Sequence, residues 1–383
     1  MRVAVPWLRA GGGVTLALVH AFTLGVLGNA MVGSLLQFLP VAAGARVRGG
    51  PWAALAVYLL LNTGAVWLVL AFRWPGWLAP RPGGLLVVMA FLGLAALTLP
   101  GIVRVSGSRL LRWGLGCAIA AGVLTALLGF ALLQVLAGRW SLPLVDVTNA
   151  HAGWGVLGWV LALLVAVARV VMPMFLGTPN VPAWLQGSWI GLLYGVLATV
   201  LAMALHGRVL PVQRGVAAVL VVAVGLAGVW LQQRARRHGR HLLGWFWRAG
   251  FALLIVAGSV LLVGGEHNLL RAAVIGLGIG LPLLVTGMQL EISAFLGWID
   301  LHRQCGRGVH LPGVELLLPV RDKSLVLALH GLAAFMLLAA LAQPAWASAG
   351  GVALLLAYAA TLIAQTGVVW RARRFLKTRR RMA

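Results

Sequence analysis

Acidic residues are nearly missing from this chain, with six Asp and Glu in 383 residues against 30 Lys and Arg. None of the six is paired at a spacing suited to hydrolysis, which excludes a two-carboxylate acid–base site. Cysteine is as scarce. Cys117 lies in an apolar run and Cys305 in a basic loop, so the chain has neither a disulfide framework nor a CxxC metal site. Walker-type, HExxH and GxSxG patterns are absent. Gly276-Leu-Gly278-Ile-Gly280 falls inside a hydrophobic run, where a nucleotide fingerprint has no place. Charged residues of every kind make up only 9% of the chain and hydrophobic ones 62%. With a mean hydropathy of +1.00, a water-soluble domain of this length is excluded.

What is present is apolar sequence in long runs. Eleven runs approach the roughly 20 residues that a ~30 Å hydrocarbon core requires. They fall at 14–41, 51–72, 84–103, 111–137, 149–172, 187–206, 212–231, 245–264, 271–299, 324–342 and 349–370. The runs are continuous and do not alternate with period two, so they read as helices, and Gly, Pro and Arg clusters such as Trp74-Pro-Gly-Trp77 mark the breaks. The first run is too long for a signal-peptide core and reads as a retained span. The expected fold is all-α: one polytopic membrane bundle over residues 1–383, with a basic tail at 371–383.

The formal charge of +24 would suggest nucleic acid for a soluble protein. Here 22 of the 30 Lys and Arg lie in every second loop and in the tail. By the positive-inside rule this places the C-terminus in the cytoplasm and the N-terminus outside a bacterial inner membrane. The basic residues then face anionic lipid, and nucleic acid is set aside as a partner.

Span 1 contains His20-Ala-Phe-Thr-Leu-Gly25-Val-Leu-Gly28 and span 5 contains His151-Ala-Gly-Trp-Gly155-Val-Leu-Gly158. Each has His-Ala, then Gly-Val-Leu-Gly, then a proline, at Pro40 and Pro173. Spans four apart run in the same direction, so this reads as an internal repeat. Span 9 is the third copy, with no histidine at the matching position near 272–274.

Two imidazoles at comparable depth beside glycine-lined faces suggest a ligand site. On span 5, His151, Gly155 and Gly158 share a face. The missing side chains leave a trough that admits a haem with an axial imidazole. Close helix packing through small residues explains the same pattern, and another metal or ligand is a third explanation. His206 and His267, at outer span ends, are reserves for further ligation; His238, His241, His302 and His310 belong to basic loops and are expected in water. Met172 and Met174 offer thioethers to copper but fit better as filling of an irregular helix end. Glu291 in span 9 and His330 in span 10 fall at one level of the inner half. Glu291 is expected to pair with His330 or Gln289, either structurally or as part of a proton relay.

Gln37-Phe-Leu-Pro-Val after His20, Val171-Met-Pro-Met-Phe after His151, and Gly287-Met-Gln-Leu-Glu291-Ile-Ser-Ala-Phe-Leu-Gly-Trp298 resemble a bacterial membrane family. That family is similar to subunit I of haem-copper oxidases and to NnrS-type membrane proteins. The resemblance spans nearly the whole chain through short motifs. It implies twelve helices in three groups of four, here with the first helix missing, so that spans 1, 5 and 9 are equivalent. It also implies His20 as a low-spin haem ligand and His151 at the first copper-ligand position. Span 6 lacks the family's adjacent histidine pair and span 9 lacks its haem ligands, so a complete oxygen-reducing centre is not expected. The function expected is haem b binding in redox, respiratory or nitric-oxide-related chemistry, with copper weakly supported and other respiratory subunits as partners. The alternative is a cofactor-free transporter, or an assembly or structural subunit of a membrane complex.

Overall fold

The computed structural model describes residues 12–104, 108–208, 211–235, 242–305 and 308–380. The basic tail from 381 onward, His238 and His241 lie outside the described residues, as does the start of the chain to residue 11.

Eleven helices are long and apolar enough to cross a membrane. They are α1 Gly12–Ala42, α2 Gly50–Arg73, α3 Pro80–Arg104, α4 Arg109–Leu136, α5 Leu144–Leu176 and α6 Ala183–Ala204. The others are α7 Val212–Gln233, α8 Gly244–Val263, α9 His267–Cys305, α10 Val320–Ala342 and α11 Pro344–Thr378. No strand occurs among the described residues. The chain is therefore an all-α, multi-pass membrane protein, as the continuous apolar runs predict. Large apolar side chains such as Leu355 and Ile363 are exposed, as lipid-facing residues should be.

The helices outrun the apolar stretches that announced them. α5 begins at Leu144, behind Pro143 and with Asp146 in its first turn, where an acid favours the helix N-terminus. α10 begins at Val320, behind Pro319, with Asp322 in its first turn. Lys323, counted in the sequence as a loop residue, is thus inside a helix and buried.

The chain divides into two compact units, Met1–Val170 with Val181–Ala217, and Val171–Asn180 with Ala218–Ala383. Within each, helices close on one another through glycines. In the first unit Gly64 of α2 and Gly83 of α3 leave no room for a Cβ against each other's helix. In the second, Gly225 and Gly258 do the same between α7 and α8, and Gly287 of α9 lies against Phe246 and Trp247 of α8. In lipid, where apolar burial does not drive helices together, such close backbone approach supplies the packing energy.

The internal repeat has a structural counterpart. α1, α5 and α9 each change from α to π geometry for eight residues: Ala21–Gly28, Trp154–Leu161 and Ala273–Gly280. Each π segment closes with an amide bonded to the carbonyl five residues back: Asn29 to Leu24, Ala162 to Leu157 and Leu281 to Gly276. The third begins directly after Ala272, at the level where the sequence comparison places the missing histidine.

Candidate functional site

His20 and His151 come together in the first unit. Their ring centroids are 6.4 Å apart, with planes inclined by 21°. His20 precedes its π segment directly, and His151 precedes its own by three residues. α5 starts at Leu144, five residues before the apolar run, so His151 lies about two turns inside the helix.

Each ring is held from one side. His20 Nδ1 lies 2.8 Å from the Leu16 carbonyl oxygen, and His151 Nδ1 lies 3.0 Å from that of Thr125 on α4. A carbonyl only accepts, so Nδ1 carries the proton in both rings and Nε2 keeps its lone pair. Neither Nε2 has a hydrogen-bond partner among the described residues. This is the state a metal-binding imidazole needs, with the ring oriented by a backbone acceptor on its far nitrogen.

The neighbours fit the rings closely. Phe72 of α2 packs against His20 at 5.3 Å between centroids. Gly129 of α4 makes room for His151, since a Cβ there would lie 3.0 Å from Cε1 of the imidazole. Leu128, Leu132 and Val147 form a buried cluster near this end of α4 and α5, with Trp154 packed on it.

Gly155 and Gly158 do not line an open trough. A Cβ on Gly155 would meet Thr125 Cγ2 at 3.0 Å, and one on Gly158 would meet Ala121 at 3.1 Å and Leu197 at 3.2 Å. Both glycines are taken up by helix packing, Gly155 against α4 and Gly158 against α4 and α6. Gly25 is exposed, with no atom within 4 Å of its Cβ position. It follows His20 by five residues, about one π turn, and so lies below that ring.

Glu291 and His330 are both buried in the second unit, but Glu291 is bonded to a different residue. Lys323 Nζ donates to Glu291 Oε1 at 2.6 Å. The correction follows from the early start of α10, which brings a cation into the helix. His330 instead bonds the Val326 carbonyl through Nδ1 at 3.0 Å. Its Nε2 has no hydrogen-bond partner, and the rings of Phe246 and Tyr358 meet it edge-on.

The remaining candidates make other contacts. His206 is exposed, with Nδ1 on the Ala202 carbonyl, and His267 and His310 are exposed as well. His302 is exposed but stacks on Trp298, at the end of a ring series through Phe295 and Phe175. Met172 is buried beside Pro173 and Met174 is partly exposed. Asp322 pairs with Arg371, which also donates to the Leu317 carbonyl at 2.6 Å.

Sequence reasoning passed over Asn29, Asn62, Tyr194 and Lys323. The asparagine amides bond each other reciprocally at 2.9 Å across α1 and α2, and Asn29 also donates to Gly25 O at 2.9 Å. The Tyr194 hydroxyl donates to Gly158 O at 2.7 Å. Two asparagines inside apolar runs were the available signal, since a polar side chain in lipid needs a partner. No protein-family model and no curated protein matches this chain.

Proposed function

We propose that this chain is an inner-membrane haem b protein, in which His20 and His151 would hold the haem, and that it serves redox, respiratory or nitric-oxide-related chemistry. The observation that carries the proposal is the histidine pair itself: two imidazoles from separate helices, each with Nδ1 satisfied by a carbonyl and Nε2 free. The ring centroids lie 6.4 Å apart with planes inclined by 21°, so the two imidazoles could serve one bound group.

The donor count favours haem over a bare ion. Among the described residues no group of three or more His, Cys, Asp and Glu could hold a metal ion. Structural zinc and typical copper sites draw three or four ligands from the protein. Haem iron arrives with its macrocycle nitrogens and needs only axial ligands, so copper is the weaker cofactor here. Gly25, exposed and with no atom within 4 Å of its Cβ position, leaves the surface about one turn from His20 unfilled. The resemblance to oxidase subunit I and NnrS-type proteins agrees with a haem ligand at His20. When bound, haem supplies one-electron chemistry; the protein holds the rings, fixes their tautomer and excludes water.

The basic-residue pattern supports an outer N-terminus and a cytoplasmic C-terminus, with the histidines in the outer half. A second reading, a cofactor-free transporter or assembly subunit, draws on the buried Glu291–Lys323 pair, since intramembrane ion pairs often mark polar pathways. Any proton relay in this unit would run through Glu291 and Lys323, without direct contact between Glu291 and His330.

Absorption spectroscopy and an iron assay on protein purified from haem-replete cells test the choice. A Soret band that is lost or altered in both His20→Ala and His151→Ala is the expected result. Colourless, iron-free wild-type protein would reject haem and leave the transport reading.

A further inference from the structure

Both histidines stand just ahead of a π segment, and this placement has a geometric consequence. A π segment carries an additional residue relative to α-helix over the same rise, so the part ahead of it is rotated about the helix axis. In α geometry each residue turns by about 100°, so converting a π segment to α would swing the preceding histidine by roughly that angle. A turn of that size would take His20 off the face it shares with His151. The π segments therefore set where the imidazoles point.

π geometry is the less stable choice for an apolar helix, and something has to hold it. At the first segment the holding group is the Asn29–Asn62 amide pair. Asn29 closes the segment with its own backbone amide on Leu24 O. Its side chain donates to Leu24 O at 3.3 Å and Gly25 O at 2.9 Å, two carbonyls inside the segment. Asn62 fixes the Asn29 amide through the reciprocal bonds and is itself anchored on the Tyr58 carbonyl at 2.9 Å. At the second segment the group is Tyr194 of α6, whose hydroxyl reaches Gly158 O while its ring packs on Trp154 at 6.0 Å. Trp154 in turn donates from Nε1 to the Leu197 carbonyl at 3.2 Å, tying the start of the segment to α6.

We propose that Asn29, Asn62 and Tyr194 are positioning residues: they hold the π segments behind His20 and His151 and thereby bring the two imidazoles to one site. This rests on the reading of the histidine pair as a ligand site, but its geometry can be tested without any ligand.

The test uses cysteines at the two positions, His20→Cys with His151→Cys, in full-length protein carrying Cys117→Ser and Cys305→Ser. Cross-linking with a short bis-methanethiosulfonate reagent, which joins each cysteine sulfur through a disulfide and releases methanesulfinate, reports their proximity in detergent. Into this background go Asn29→Leu with Asn62→Leu, or Tyr194→Phe, or Thr361→Val as a control. Thr361 is a buried helix hydroxyl bonded to the Ala357 carbonyl, away from any π segment. Replacing both amides by apolar groups of similar size leaves no orphaned partner between α1 and α2, so the protein should still fold. Tyr194→Phe removes a single oxygen and serves if the double variant does not fold.

A several-fold loss of cross-linking in the asparagine variant, a smaller loss in Tyr194→Phe and none in Thr361→Val is the expected pattern. Cross-linking that stays at the parent level in folded asparagine and tyrosine variants would overturn the proposal. With the histidines in place, the same variants should shift the haem spectrum away from the six-coordinate form while retaining unfolding temperatures near the parent's. If the cross-link falls but wild-type protein carries no haem, the positioning role stands and the haem reading fails. If haem is bound with an unchanged spectrum in the variants, the positioning role fails and the haem reading stands.

Discussion

His20, His151 and His330 make the same local bond, Nδ1–H to a backbone carbonyl, yet they occupy two different kinds of place. In the first unit two such rings stand together, partly buried, with exposed Gly25 five residues after one of them. In the second unit one such ring is buried at 3% exposure and walled in by Phe246 and Tyr358, while the nearby charge is spent on a closed Glu291–Lys323 pair. A histidine in a membrane helix is therefore not a ligand by virtue of its own hydrogen bond. What faces the second nitrogen decides.

The largest effect should come from the closed pair. Glu291→Leu or Lys323→Leu alone leaves a buried charge without its partner, a loss of about 3–5 kcal/mol. The double replacement should recover most of that loss, because two apolar side chains can fill the space without a desolvated charge. Thermal unfolding in detergent measures both. Single variants as stable as the parent would mean that water reaches the pair, and the contrast between a closed second unit and an open site in the first would be lost.

Next in size is the difference between the histidines. His20→Ala and His151→Ala should each lower iron content and change the Soret band, whereas His330→Phe should leave both unchanged. Iron analysis and absorption spectra of the three purified variants decide this. Loss of iron in His330→Phe would move the ligand site, or part of it, to the second unit.

The glycines sharpen the same contrast within one helix repeat. Gly158→Leu drives a side chain into Ala121 and Leu197 and should cost about 1–3 kcal/mol of stability, as overpacking does. Gly25→Leu meets open space and should unfold like the parent but bind less haem. Similar stability losses in both variants would show that Gly25 is a packing glycine too.

The membrane fold was legible because apolar run length is set by bilayer thickness, and all eleven spans emerge from it. Helix ends were less legible. Pro143 and Pro319 start α5 and α10 ahead of the apolar runs, so polar first turns were read as loop and Lys323 was counted as a loop residue. The histidine pair was visible as a repeated His-Ala, but its surroundings were not. Gly155 and Gly158 stand at helical spacing from His151, yet the π segment beginning at Trp154 breaks the regular α phase on which that face was drawn. The pairing of Glu291 failed for a related reason. Depth can be counted along a helix, whereas rotation about the helix axis depends on its neighbours, and Lys323 lies two turns from His330 on the same helix.

The smallest effect belongs to Gly129→Ala. The added Cβ would lie 3.0 Å from Cε1 of His151 and 3.5 Å from its Nδ1. The first distance is shorter than ordinary van der Waals contact, so the ring must give by a few tenths of an ångström. His151 is tethered on that side by its bond to the Thr125 carbonyl, also on α4, so the ring cannot move freely without lengthening that bond. The strain should cost less than about 1.5 kcal/mol, near the lower range for one additional methyl in a packed site. Iron should be retained, since the added Cβ would lie 3.8 Å from Nε2, an ordinary van der Waals distance, but the Soret and visible bands should shift as the ring tilts. The same substitution at Gly116, also on α4 and with no atom near its Cβ position, is the control and should leave the spectrum unchanged. A Gly129→Ala protein with the parent spectrum would place the iron away from His151, leaving His20 as the one axial ligand of the pair.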